Sequence, residues 1–144
     1  MSVIAGCHTE YEIKYHFVFV VKYRKGIFFD KPIADFFKKT IKQIANRYWI
    51  DIDLIGTDGN HVHMFIVASP RMSPARIAQI LKSITARELF KIFPRIKQDL
   101  WGGQFWGEGY YVGTIGGDKT EAVIKRYIEN QGRATEHEKQ LKLF

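Results

Sequence analysis

Two apolar runs flank the tripeptide Asp58-Gly59-Asn60, and this arrangement restricts the fold more than any other feature of the chain. Before it, "WIDIDLIG" alternates: Ile50, Ile52 and Leu54 fall on one face, Asp51 and Asp53 on the other. A period of two predicts a half-buried strand. After it, "HVHMFIV" returns as a second apolar strand. An Asp-Gly turn between such runs is a hairpin signal. The two strands are therefore expected to lie antiparallel in one sheet.

The flanking sequence completes a pattern. Upstream, "YEIKYHFVFVVKYR" is β-branched and aromatic and predicts a buried strand near residues 14–22. In "KPIADFFKKTIKQIANRYW", Ile33, Phe36, Phe37, Ile41, Ile44 and Ala45 recur at spacings of three and four, the mark of an amphipathic helix. Pro32 suits its first turn. Ser73-Pro74 caps and opens a second helix, "ARIAQILKSITARELFKIF", which stops before Pro94. "YYVGTIG", near 110–116, predicts a fourth strand, and "DKTEAVIKRYIENQG" a last helix between Asp118 and Gly132. The order is β-α-β-β-α-β-α. Its first six elements spell an α+β, ferredoxin-like (RRM-like) split βαβ sandwich. Such a sheet carries two helices on one face and is expected to leave the other free, where single-stranded nucleic acids are often read.

Composition narrows the function classes. A length of 144 residues argues for one domain, 1–144, with a poorly defined tail from about 133. A formal charge of +7 makes a polyanion the first partner to consider. The single Cys7 cannot form an internal disulfide, so a reducing, cytoplasmic setting is expected. "MSVIAGCHTEYEI" lacks the basic start and long apolar stretch of a secretory leader. The longest apolar run, Phe17 to Val21, is far below the ~20 residues of a membrane span, so no membrane partner is expected.

The residues with chemistry sit in the third strand and the last helix. His61 and His63 point to the same face, about 7 Å apart at Cα for a rise of about 3.3 Å per residue. Two imidazoles so placed can converge on one divalent ion, and they can equally be solvated on a half-exposed sheet face. A third ligand and a reacting group must come from elsewhere. In "RYIENQG", Tyr127 and Gln131 are four apart and share a helix face. Tyr127 lies among Lys125, Arg126, Glu129 and Asn130. A phenol of pKa near 10 becomes a useful nucleophile when a metal polarises the phosphoryl group and a cationic site helps deprotonate it. The chain has no GxxxxGK[ST] phosphate loop.

"NHVHMF" on a central strand with "YIENQ" on a late helix resembles the single-tyrosine HUH transposases of the TnpA type, which mobilise the smallest insertion sequences. "YHFVFVVKYRK", "ITARELFKIFP" and "FWGEGYYVGTIGG" resemble the family's first strand, second helix and Trp…Gly-Tyr strand, so the likeness runs from about Tyr11 to Gly132. The resemblance implies that His61, His63 and Gln131 are ligands of Mg²⁺ or Mn²⁺. It implies that Tyr127 attacks the scissile phosphorus, leaving a 5′-phosphotyrosine and a 3′-OH, without ATP. The implied substrate is single-stranded DNA carrying imperfect hairpins. Among many basic residues, Lys22, Arg24, Lys25 and Arg87 are candidates to contact its phosphates. Aromatics such as Tyr23 or Phe105 are candidates to stack on bases, although for Phe105 and Trp106 core or dimer packing is the preferred expectation. Members of the family form homodimers that exchange the tyrosine helix. Gly116-Gly117, just before that helix, is where this chain would allow the exchange. Two rival classes remain: a non-catalytic, ferredoxin-like single-strand-binding module, and a metal-dependent hydrolase that uses the histidines to activate water.

Overall fold

The computed structural model describes residues 4–5 and 10–115. Gly116, Gly117, the whole expected last helix with Tyr127 and Gln131, and the tail lie outside the described residues. An N-terminal pair of short strands, β1 (Ile4–Ala5) and β2 (Glu10–Tyr11), precedes the main sheet. There follow β3 (Lys14–Val20), α1 (Lys31–Tyr48), β4 (Asp51–Asp58), β5 (His61–Val67), α2 (Pro74–Ile92), a single-turn α3 (Ile96–Asp99) and β6 (Tyr111–Thr114). Neither the β1–β2 pair nor α3 was expected, because two- and four-residue elements are too short to show a period.

The main sheet has the order β4-β5-β3-β6, and every neighbouring pair is antiparallel. This is the split βαβ arrangement read from the sequence, with β3 and β5 at its centre. The helices start where expected. The Asp30 side chain accepts a hydrogen bond from the Ile33 amide at the head of α1, and the Ser73 hydroxyl accepts one from the Arg76 amide at the head of α2. The hairpin closes through Gly59 and Asn60, with Asp58 paired to His61. Gly59 has φ +56°, a left-handed conformation that glycine adopts without the Cβ penalty, and the Phe29 ring lies where a Cβ would project.

One face of the sheet forms the core. Phe17 and Phe19 of β3 and Val62, Met64 and Ile66 of β5 pack with Ile33, Phe37 and Ile41 of α1 and with Ile77, Leu81 and Leu89 of α2. Phe105 and Trp106 join this core as expected, and the Trp106 indole donates to the Thr85 hydroxyl at 3.0 Å. In β4 the simple alternation fails. Ile52 pairs with Ile66 but Leu54 pairs with Phe65, so Asp53 is an extra residue in a β-bulge. Ile50, Ile52 and then Ile55 turn to the core, whereas Leu54 changes to the opposite face. The bulge leaves the Asp53 carboxylate 3.7 Å from the buried Lys14 ammonium.

Candidate active site

The second face of the sheet was expected to be free. At its centre it is closed to solvent: His16 is 3 %, His61 2 % and His63 1 % exposed, and Val18 and Phe65 between them are fully buried. Register explains the grouping. Residues paired across a ladder point to the same side, and Val18 pairs with His63, Val20 with His61, and His16 with Phe65. The alternating residues His16, Val18 and Val20 of β3 therefore share a face with His61, His63 and Phe65 of β5. Tyr111 of β6 borders this face through its pairing with Val18.

The two histidines singled out by the sequence are brought together, with ring centres 4.9 Å apart and ring planes at 77°. Each is oriented through its Nδ1. The His61 Nδ1–H donates to Asn60 Oδ1 at 2.8 Å, because that oxygen can only accept. This leaves the lone pair of His61 on Nε2. Nδ1 of His63 lies 3.0 Å from Nε2 of His16. The Asp58 carboxylate stands 3.9 Å from His61 Nε2. Two neighbouring imidazoles oriented through their rear nitrogens, with a carboxylate beside one of them, are a donor set that suits a divalent transition ion. They fit the metal that the family resemblance implies, as two ligands of an incomplete set. Among the described residues no group of three or more His, Cys, Asp or Glu side chains is arranged to hold a metal ion. An ion held here would need a further ligand, and Gln131, the candidate named by the sequence, lies outside the described residues.

His16 went unnoticed in the sequence because it stands 45 positions before His61 inside an apolar run. The signal available was its parity: a histidine within a strand that reads as wholly buried needs a polar partner. Burial pushes His16 down from its ordinary 6.5 to about 4. Between those values the unfolded chain binds a proton at this site that the folded chain does not. Folding stability must therefore rise with pH through this window and fall as pH drops. We expect metal-free protein to lose roughly 3 kcal/mol of unfolding free energy from this residue between neutral pH and pH 4. Denaturant titrations across that range check this, and a His16→Gln variant should show a shallower slope.

The basic candidates divide into two groups. Lys22, Arg24 and Lys25 leave the end of β3, next to Val20, which pairs with His61. Arg24 and Lys25 are exposed, and Lys22 donates to Gln104 Oε1 at 3.0 Å. Arg87 stands exposed on α2, in the helical layer on the other side of the sheet. Tyr23 is 48 % exposed and stacks on Trp101, itself 73 % exposed, with ring centres 5.6 Å apart. Tyr23 and Arg24 have φ of 60° and 54°, a conformation that costs a non-glycine residue energy. A cleft of about 360 Å³ opens beside them, lined by Val20, Tyr23, Arg24, Glu108 and Tyr110. The Lys82 ammonium from α2 holds the cleft's far wall by donating to the carbonyls of Gly107 and Gly109. Burial lowers the Lys82 pKa, and nearby Glu108 works in the opposite direction.

Known proteins share the sequence and the fold of this chain. A family profile described as "Transposase IS200 like" matches residues 9–131. The ISDra2 transposase TnpA of Deinococcus radiodurans is 31 % identical over 121 residues, spanning 84 % of this chain and 85 % of that protein. The transposase for insertion sequence element IS200 of Salmonella typhimurium is 30 % identical over 128 residues, 86 % of this chain and 80 % of that one. A crystal structure of a Deinococcus radiodurans protein superposes with a TM-score of 0.73 at 31 % identity, over 89 % of this chain and 97 % of the other. A REP-associated tyrosine transposase bound to a REP hairpin superposes with a TM-score of 0.57 at 12 % identity, over 87 % of this chain and 70 % of the other, which is a likeness of fold.

Proposed function

The chain belongs to the IS200-like transposase family, and from that premise we propose that it cleaves and rejoins single-stranded DNA at hairpin-bearing ends through a 5′-phosphotyrosine intermediate. The observation that carries this reading is the pairing of His61 and His63, buried side by side on one sheet face with each rear nitrogen engaged. A non-catalytic binding module has no use for two buried imidazoles so oriented. The hairpin bound by the REP-associated relative supports the same class of substrate.

His61 and His63, with Gln131, would hold Mg²⁺ or Mn²⁺, and the imidazoles suit Mn²⁺ at least as well as Mg²⁺. When bound, such an ion draws negative charge from the scissile phosphoryl group. Tyr127 supplies the nucleophile. Its phenol loses its proton, its oxygen bonds to phosphorus, and the bond from phosphorus to the 3′ oxygen breaks. That oxygen leaves with a proton as a free 3′-OH. Attack of a 3′-OH on a phosphotyrosine reverses these events, joins the strands and returns the phenol. One phosphoester bond replaces another at each stage, so no ATP is consumed. Lys22, Arg24 and Lys25 would hold backbone phosphates beside the site, and the exposed Tyr23–Trp101 pair would offer a surface for unpaired bases. Arg87, in the other layer, would contact DNA only if the hairpin reaches around the sheet. Gly116-Gly117 would let the tyrosine helix dock on the second subunit of a homodimer.

The test is cleavage of labelled single-stranded hairpin DNA, resolved on a denaturing gel. A covalent protein–DNA adduct should form with Mg²⁺ or Mn²⁺ and vanish in excess EDTA. His61→Ala and His63→Ala should each lower its rate by about a hundredfold or more, at least the effect of removing a metal ligand's support. Full adduct formation in EDTA would remove the metal from the scheme. Cleavage with no adduct would remove the tyrosine and leave a hydrolase.

A further inference from the structure

We infer that His16 is a positioning residue for the metal site: it accepts the Nδ1–H of His63 and so fixes the tautomer and ring orientation that turn His63 Nε2 toward the cation. The inference rests on the metal reading of His61 and His63 given above. Three of the chain's five histidines gather on one sheet face. His16 does not stand as a further ligand in front of the pair. Its Nε2 lies behind His63, 3.0 Å from the rear nitrogen.

The geometry is that of an in-plane hydrogen bond. The two ring planes differ by 17° and their centres are 5.2 Å apart. That spacing is close to the nitrogen–nitrogen distance plus the two ring radii, so both nitrogens lie nearly on the line between ring centres. The lone pair of one ring then points along the N–H of the other, as a strong bond requires. His16 cannot easily swing away. Its ring meets Phe65 and Tyr111 edge-on, with centres at 5.5 and 5.6 Å.

A contact between two imidazole nitrogens needs one N–H and one lone pair. If His63 offers the Nε2 lone pair to a cation, its proton must sit on Nδ1. His16 Nε2 must then be the acceptor, and the proton of His16 lies on its own Nδ1. The arrangement matches that of His61, whose rear N–H is held by Asn60 Oδ1 at 2.8 Å. One candidate ligand is thus oriented by its neighbour in sequence and the other by a residue on the adjoining strand. Both acceptors do what carbonyls and carboxylates do behind metal-bound histidines elsewhere.

Binding of Mn²⁺ to the full chain, without DNA, tests this by the loss of the free-ion paramagnetic resonance signal. The wild-type chain should bind, and His63→Ala should lose most of that affinity. His16→Met keeps a similar length but offers a far weaker acceptor, and should weaken binding by about ten- to a hundredfold. His16→Gln places a carbonyl oxygen near the former Nε2 and should restore affinity to within a few fold. Equal affinity of His16→Met and wild type would overturn the role. Equal loss in His16→Met and His16→Gln would overturn it too, since packing alone would then be at stake. A wild-type chain that binds no Mn²⁺ would overturn the metal reading itself, and the role of His16 with it. A measurement on the wild type decides the matter if the variants unfold. Long-range proton–nitrogen correlation should find the His63 proton on Nδ1, and a proton on His63 Nε2 would overturn the inference.

Discussion

Replacing Tyr127 with phenylalanine should abolish the covalent protein–DNA adduct while leaving affinity for hairpin DNA within a few fold. The substitution removes one hydroxyl and nothing else. If that oxygen is the nucleophile, no other group can form the phosphoester bond, and the loss is complete rather than graded. Binding depends on a different set of atoms. The chain's +7 charge, and Lys22, Arg24 and Lys25 at the exit of β3, are untouched by the change. A denaturing gel reads the adduct and a mobility shift reads the binding. An adduct that persists in the variant would end the case for Tyr127. Loss of adduct and binding together would mean that the phenol supports the fold, and a thermal melt would then show it.

The second large effect concerns how a site is assembled. Tyr127→Phe and a His61→Ala/His63→Ala double variant should each be inactive alone, yet regain activity when mixed under conditions of subunit exchange. The expectation follows from Gly116-Gly117 immediately before the segment that the sequence predicts as the tyrosine helix, taken with the dimers that the family resemblance implies. In a mixed dimer with sites built across the interface, the histidines of the first protein meet the tyrosine of the second. One of the two sites is then whole, and the labelled DNA must be attached to the histidine variant. With sites built within one subunit, every site lacks a half and the mixture stays inactive. Differential tags show whether mixed dimers are present. An inactive mixture containing them would leave the glycine pair as an ordinary turn.

The sequence by itself determined the order of elements, the hairpin and the candidate ligand pair, because each is a local matter. Ile33, Phe37, Ile41 and Ile44 define the buried stripe of α1 through spacings that a single helix imposes. Asp58-Gly59-Asn60 fixes its turn through the backbone freedom of one glycine at φ +56°. His61 and His63 share a face because any strand alternates. Tertiary structure alone decided what depends on register between strands. The alternation of β4 gives no sign that Asp53 is an extra residue, since a bulge is chosen by pairing with β5 and not by the strand that carries it. Leu54 consequently sits on the face opposite to the one its spacing predicts. The arrival of His16 behind His63 has the same origin. Contact across strands requires parity, register and sheet order to agree, and only the last two place a residue 47 positions away within 3.0 Å of the ligand it supports.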